Sequence, residues 1–169
     1  MTHMTKDDQP AGPTKGSIIG TIVFWVIAIL LVVFTTVWTN LPAGVWVVRI
    51  LTVLAGVGMV VGLILYEKYR KSHGLPVESD ETAFDLWTIA HTLAGVVMGA
   101  WTVAAPLVVI FTIVWEFFEK FGSKGIGDKE ILANRIVDVL VAWAGWFVVA
   151  AVIAATTQTP MPWTLSLAR

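Results

Sequence analysis

Apolar residues fall into five blocks along this chain, separated by short breaks that carry polar residues, proline or glycine. A helix crossing about 30 Å of hydrocarbon needs about 20 residues, and shorter ones are accommodated by local thinning of the bilayer. The first block runs from about Ser17 to Val37 and stops at Trp38, Thr39, Asn40, Leu41 and Pro42, a turn. The second runs from about Val45 to Tyr66, and Gly74 and Pro76 break the polar stretch from Glu67 to Glu81 behind it. The third starts near Phe84 and ends near Val103; Ala104, Ala105 and Pro106 then form a tight connection to the fourth, which reaches about Phe121. A glycine-rich loop, Gly122 to Gly127, leads to a last helix with Asp128 as its expected N-cap. That helix runs to about Ala155, its first two turns polar enough to lie in the interface. The pattern predicts an all-α fold, a polytopic transmembrane helix bundle with five spans. A polar tail covers residues 1–16, a single transmembrane helical domain 17–155, and a C-terminal tail 156–169.

Composition strengthens this reading. Of 169 residues, 57% are hydrophobic and 14% charged, a balance far from that of a soluble domain. A net charge of −1 gives no reason to expect a nucleic-acid partner; the expected partner is the lipid bilayer. The absence of cysteine excludes disulfides and thiolate metal sites. The first block is too long for a signal-peptide core, and no small-x-small cleavage site follows it, so it is expected to stay as a helix.

Basic residues orient the chain. Lys6 and Lys15 precede the first block, Lys68, Arg70 and Lys71 follow the second, and Lys120, Lys124, Lys129 and Arg135 lie between the fourth and fifth. Only Arg49 and Arg169 fall on the other side. The positive-inside rule then predicts a cytoplasmic N-terminus and an external C-terminus, in a multi-pass protein of the cell membrane, expected to be a bacterial inner membrane. Trp38, Trp46, Trp101 and Trp163 would lie at the outer interface, and Tyr66, Tyr69 and Trp87 at the inner one. Five spans do not divide into equal halves, which weighs against an inverted-repeat transporter. Gly58-x3-Gly62 offers a face for close helix packing.

Against this apolar background five ionisable residues stand out: Asp85, His91, Glu116, Glu119 and Asp138. A charge at the centre of a membrane helix costs about 2.5–3.5 kcal/mol on insertion scales, so such residues usually serve a purpose. Asp85, Thr88, Thr92, Gly95 and Gly99 recur at helical spacing with His91 flanking them, and the two glycines would admit another helix beside the histidine. Thr112, Glu116 and Glu119 share a face of the fourth span. Asn134, Asp138, Ala142 and Gly145 share one of the fifth, with Arg135 one position round. His91 lies about 9 Å along its helix from Asp85, and the other acidic groups lie at comparable depth, so the polar faces are expected to meet in the cytoplasmic half of the bilayer. Simpler roles exist for single residues. Asp85 fits an N-cap, Glu119 beside Lys120 can snorkel to water, Asp138 can pair with Arg135, and His91 can pack as a neutral ring. Glu116, a full turn deeper than Lys120, is the hardest to explain this way.

The order His91-x3-Gly95, Trp115-Glu116-x2-Glu119, Gly127-Asp128, Asn134 and Asp138, and finally Gly145 resembles a family of small, uncharacterised bacterial polytopic membrane proteins. More loosely it is similar to the VanZ-like group, polytopic proteins whose namesake is associated with glycopeptide-antibiotic resistance. The similarity covers about residues 84–146, and the Trp-Glu-x2-Glu element is its most specific part; the spacing from Gly127-Asp128 to Asn134 departs from the family pattern. The resemblance implies that His91, Glu116, Glu119, Asn134 and Asp138 act as one unit, and implies no particular activity.

His91, Glu116, Glu119 and Asp138 are therefore the candidate catalytic and metal-binding residues, with Asp85, Asn134 and Arg135 in support. One histidine with several carboxylates can hold Mn²⁺, Fe²⁺ or Zn²⁺. Glutamates three apart on one helix repel, so they would share a proton or a cation. Such a site could perform acid–base or metal-assisted hydrolysis of a lipid-linked or amphiphilic substrate, with Arg135, Lys124 and Lys129 attracting its head group. The alternatives are a non-catalytic accessory subunit bound to other membrane subunits, and a small proton-coupled carrier. The loop from Gly122 to Lys129 is not a phosphate-binding P-loop, because Asp128 stands where the lysine belongs and no strand precedes it. A single intramembrane histidine also excludes bis-histidine haem within one chain.

Overall fold

The structure is a computed structural model that describes residues 23, 26–30, 32–33, 41–75, 83–122 and 131–164, with the backbone alone for 119–122. Among the described residues every regular element is a helix. Four have defined bounds: α1 (Ala43–Ser72), α2 (Leu86–Ala100), α3 (Ala105–Gly122) and α4 (Leu132–Thr157). The described part of the first apolar block, within 23–33, is helical too, and its Val32 packs against the core. The rest of that block, the turn expected over 38–40 and the glycine-rich loop with Asp128 lie outside the described residues.

Local chemistry sets the helix ends. α1 outlasts its apolar block by six residues, because Glu67 to Ser72 contains no breaker. It stops where Gly74 takes a φ of +64°, the left-handed conformation glycine adopts without steric cost. Arg70 and Lys71 in the last turn complement the negative end of the helix dipole. α2 is shorter than its apolar block. Asp85 caps its start, accepting a 2.8 Å hydrogen bond from Thr88 N while its own N–H donates to the Thr88 hydroxyl at 3.2 Å. Its far end closes at Trp101, followed by Thr102 with a φ of +52°. Pro106 falls in the first turn of α3, where its missing N–H breaks no intrahelical bond. α4 opens at Leu132, with Ile131 at the N-cap position and no side-chain cap.

α2 and α4 form the central pair, with α1 against α2 and α3 against α4. Glycines bring the pair together. A Cβ on Gly95 would collide with the carbonyl of Ala142, one on Gly99 would lie 2.6 Å from the carbonyl oxygen of Trp146, and one on Gly145 would lie 2.6 Å from that of Thr92. Indole N–H groups tie the outer helices in. Trp87 donates to Glu67 Oε1 at 3.0 Å, Trp143 to Thr112 Oγ1 at 2.8 Å and Trp146 to the carbonyl of Val103 at 2.8 Å. After α4 the chain turns back, and Ala105 N–H, at the start of α3, donates to the carbonyl of Pro162 at 2.8 Å.

The bundle therefore has two distinct ends. Ala43, the turn over 101–104 and Thr157 mark one, and Ser72, Asp85, Gly122 and Leu132 mark the other. α1 and α4 are long and apolar enough to cross a membrane, whereas α2 and the apolar part of α3 are shorter. Only 11% of the most apolar 18-residue stretch of α1 is buried within the protein, and 28% of that of α4.

Candidate metal centre

Three helices each bring one ionisable side chain to the same depth. His91 lies five residues into α2, Asp138 six residues into α4, and Glu116 six residues before the end of α3. At 1.5 Å per residue each is about 8–9 Å from the same end of the bundle. His91 stands between the two acids. Its Nδ1 is 3.8 Å from Glu116 Oε1 and its Nε2 is 3.7 Å from Asp138 Oδ2. One ligating atom from each of the three residues lies within 4.8 Å of the others.

Both acids are buried. Asp138 is 1% exposed and Glu116 8%. The separations from the imidazole exceed hydrogen-bond length, so the acids approach the ring without bonding to it directly. Two carboxylates so close together in a low-dielectric interior require a proton or a cation among them. The second oxygen of Asp138, Oδ1, is buried and has no hydrogen-bond partner among the described residues. First-row ions bind nitrogen and oxygen at about 2.0–2.2 Å, so small side-chain rotations would bring this set onto one ion.

The supporting residues divide. Asn134 is fully buried on α4, one turn before Asp138. Asp85 is the N-cap of α2 and stands outside the set of three. Arg135 is half-buried on α4, and the contacts of Asp138 run to His91 and Thr88. The side chain of Glu119 lies outside the described residues. Thr88 is a residue that sequence reasoning placed on the polar face without assigning it a part. Its hydroxyl donates to Asp85 Oδ1 at 3.1 Å and lies near the Asp138 carboxylate, so the cap of α2 borders the site. The signal was there in the spacing, since Thr88 stands three residues from both Asp85 and His91.

An open groove of about 540 Å³ runs along α2, on a face that does not include His91. Met59, Leu93, Val96 and Val141 make it apolar, and Asp85 and Thr88 line it as well. Comparison with models of known protein families, with curated proteins and with solved structures gives no match.

Proposed function

We propose that this chain is an integral membrane protein with five spans that holds a divalent cation between His91, Glu116 and Asp138 and acts on a lipid-linked or amphiphilic substrate. The convergence of three ligating side chains from three helices at one depth carries this reading. The membrane setting is supported by α1, whose Leu51, Leu54 and Leu65 are each about 60% exposed, a surface that water would penalise and lipid would not. The lysines and arginines gathered at the Ser72 end, among them Lys68, Arg70 and Lys71, support a cytoplasmic position for that end and a cell-membrane protein with its N-terminus inside. Kinship with the VanZ-like group belongs to the same proposal.

An ion held by three protein ligands keeps open coordination positions, and it would supply Lewis acidity and an activated water. The residues of the chain do the rest. Asn134, one turn before Asp138, and Thr88, close to its carboxylate, are the positioning candidates for it. The groove along α2 accepts an acyl or prenyl chain, with Asp85 and Thr88 as its polar lining. Glu119, three residues beyond Glu116, is a further candidate ligand, and Lys124, Lys129 and Arg135 draw in an anionic head group. The test is metal analysis of protein purified without chelator. Wild type is expected to carry near-stoichiometric Mn²⁺, Fe²⁺ or Zn²⁺, and Glu116→Gln, Asp138→Asn and His91→Ala less than about one-tenth of it. Wild-type protein that stays metal-free after incubation with these ions would overturn the proposal.

A second reading is favoured by one observation: the two ring nitrogens of His91 face different carboxylates. That is the arrangement of a proton relay. It predicts proton flux in proteoliposomes of metal-free protein, abolished by Glu116→Gln.

A further inference from the structure

Arg49 is the one cation that the sequence pattern puts among the spans at the wrong end of the bundle. It lies six residues into α1, about 9 Å from the end marked by Ala43, and it is completely buried. Its Nε donates to the carbonyl of Ala100 at 3.0 Å and its Nη2 to Thr102 Oγ1 at 3.1 Å. The Trp46 ring lies 4.7 Å from the guanidinium carbon and the Trp101 ring 5.4 Å. Nη1 is buried and donates to nothing among the described residues.

A guanidinium carries five N–H donors and a full charge. Two hydrogen bonds and two aromatic faces do not neutralise it, and an uncompensated charge in an apolar interior is strongly unfavourable. The acidic residues of α1 to α4 cannot compensate it. Glu67, Asp85, Glu116, Glu119 and Asp138 all lie toward the opposite end. The surroundings are otherwise built to hold the side chain in one pose. Thr102 adopts a left-handed backbone conformation uncommon for a β-branched residue, and in it Oγ1 receives Nη2 while donating to the carbonyl of Trp101 at 2.7 Å.

We propose that Arg49 is the centre of a phosphate-binding site at this end of the bundle, with Nη1 and the unused N–H of Nη2 forming a fork for the oxyanion. Guanidinium matches phosphate in charge and in the spacing of two parallel N–H bonds. Trp46, 40% exposed with its ring 4.7 Å from the guanidinium carbon, is the side chain whose movement would admit the phosphate. The ligand is an anionic phosphate, either in the head group of a phospholipid or as the free ion. The site is independent of the metal centre at the other end.

The test uses the full chain in a neutral detergent and a phosphate-free buffer. Thermal melting is followed during titration with dihexanoyl phosphatidylglycerol and, separately, with inorganic phosphate. A rise in melting temperature with the phospholipid alone identifies a head-group site, and an equal rise with both identifies a site for the free ion. Arg49→Gln is expected to abolish the response. Arg49→Lys, which keeps the charge and loses the fork, is expected to weaken it about tenfold or more. Arg49→Lys and Trp46→Leu keep the test decisive where Arg49→Gln fails to fold. A wild type that responds to neither probe, or variants that respond as wild type does, would overturn the site.

Discussion

The histidine at the centre of the site is held by backbone rules acting several residues away. Asp85 was expected to cap a helix, and it does, through a reciprocal pair of bonds with Thr88. Because Thr88 also lies near Asp138, one side chain stands between the cap and the proposed ligand. The two roles can be separated by substitution. Asp85→Ala is expected to cost about 1 kcal/mol of stability, the usual cost of losing an N-cap, while metal content stays near wild type. Thr88→Val removes the hydroxyl that lies between the Asp85 cap and Asp138, and metal affinity is expected to fall about 10–100-fold if that hydroxyl orients the ligand. Denaturation in detergent and competition with a chelator measure the two effects. Equal metal loss in both variants would show that the helix start, not the hydroxyl, orients Asp138.

The helices themselves depend on glycine for different reasons at different places. Gly95 lies against the carbonyl of Ala142, and no side chain fits there. Gly95→Val is expected to push α2 off α4 and destabilise the protein by at least about 1–3 kcal/mol, the common cost of overpacking. Gly58 has nothing within 4 Å of where a Cβ would be, although its spacing to Gly62 has the same form as that of Gly95 to Gly99. Gly58→Ala is therefore expected to be neutral or stabilising by up to about 1 kcal/mol, because alanine favours the helix. Thermal melts of the two variants compare these directly. A strong loss in Gly58→Ala would mean that this face packs against something else. Both motifs read alike in the sequence, and only the neighbours distinguish them.

At the scale of the whole molecule the two ends of the bundle differ in chemistry. One gathers Trp46, Trp101 and Trp163 with the buried Arg49, and the other gathers Trp87, Tyr66, Tyr69 and the basic last turn of α1. The proposed orientation places the second in the cytoplasm. Since the chain has no cysteine, single cysteines report accessibility without background. Ser72→Cys is expected to react with a membrane-impermeant maleimide only in inverted vesicles or after permeabilisation, and Thr159→Cys in intact cells. The reverse pattern would invert the topology and move the His91 site to the outer leaflet.

Hydrophobic periodicity and helix breakers were enough, from the sequence alone, to define an all-helical chain, because runs of apolar residues between Pro, Gly and capping residues leave the backbone few alternatives. They also brought His91, Glu116 and Asp138 forward, since ionisable residues are rare in such runs. Helix ends were less legible. Six more residues of α1 and the shortness of α2 rest on a missing breaker and on a cap pair whose geometry spacing only hints at. Which helices touch was decided by tertiary structure: α2 pairs with α4 because glycines on both let their backbones meet. That pairing, with α3 packed on α4, sets His91 between Glu116 and Asp138, while Gly58 and Gly62 meet no neighbour among the described residues. The packing of α1 on the end of α2 buries Arg49 against two tryptophans, far from any acid of α1 to α4, a placement that no local pattern encodes, because it depends on which surfaces are brought together.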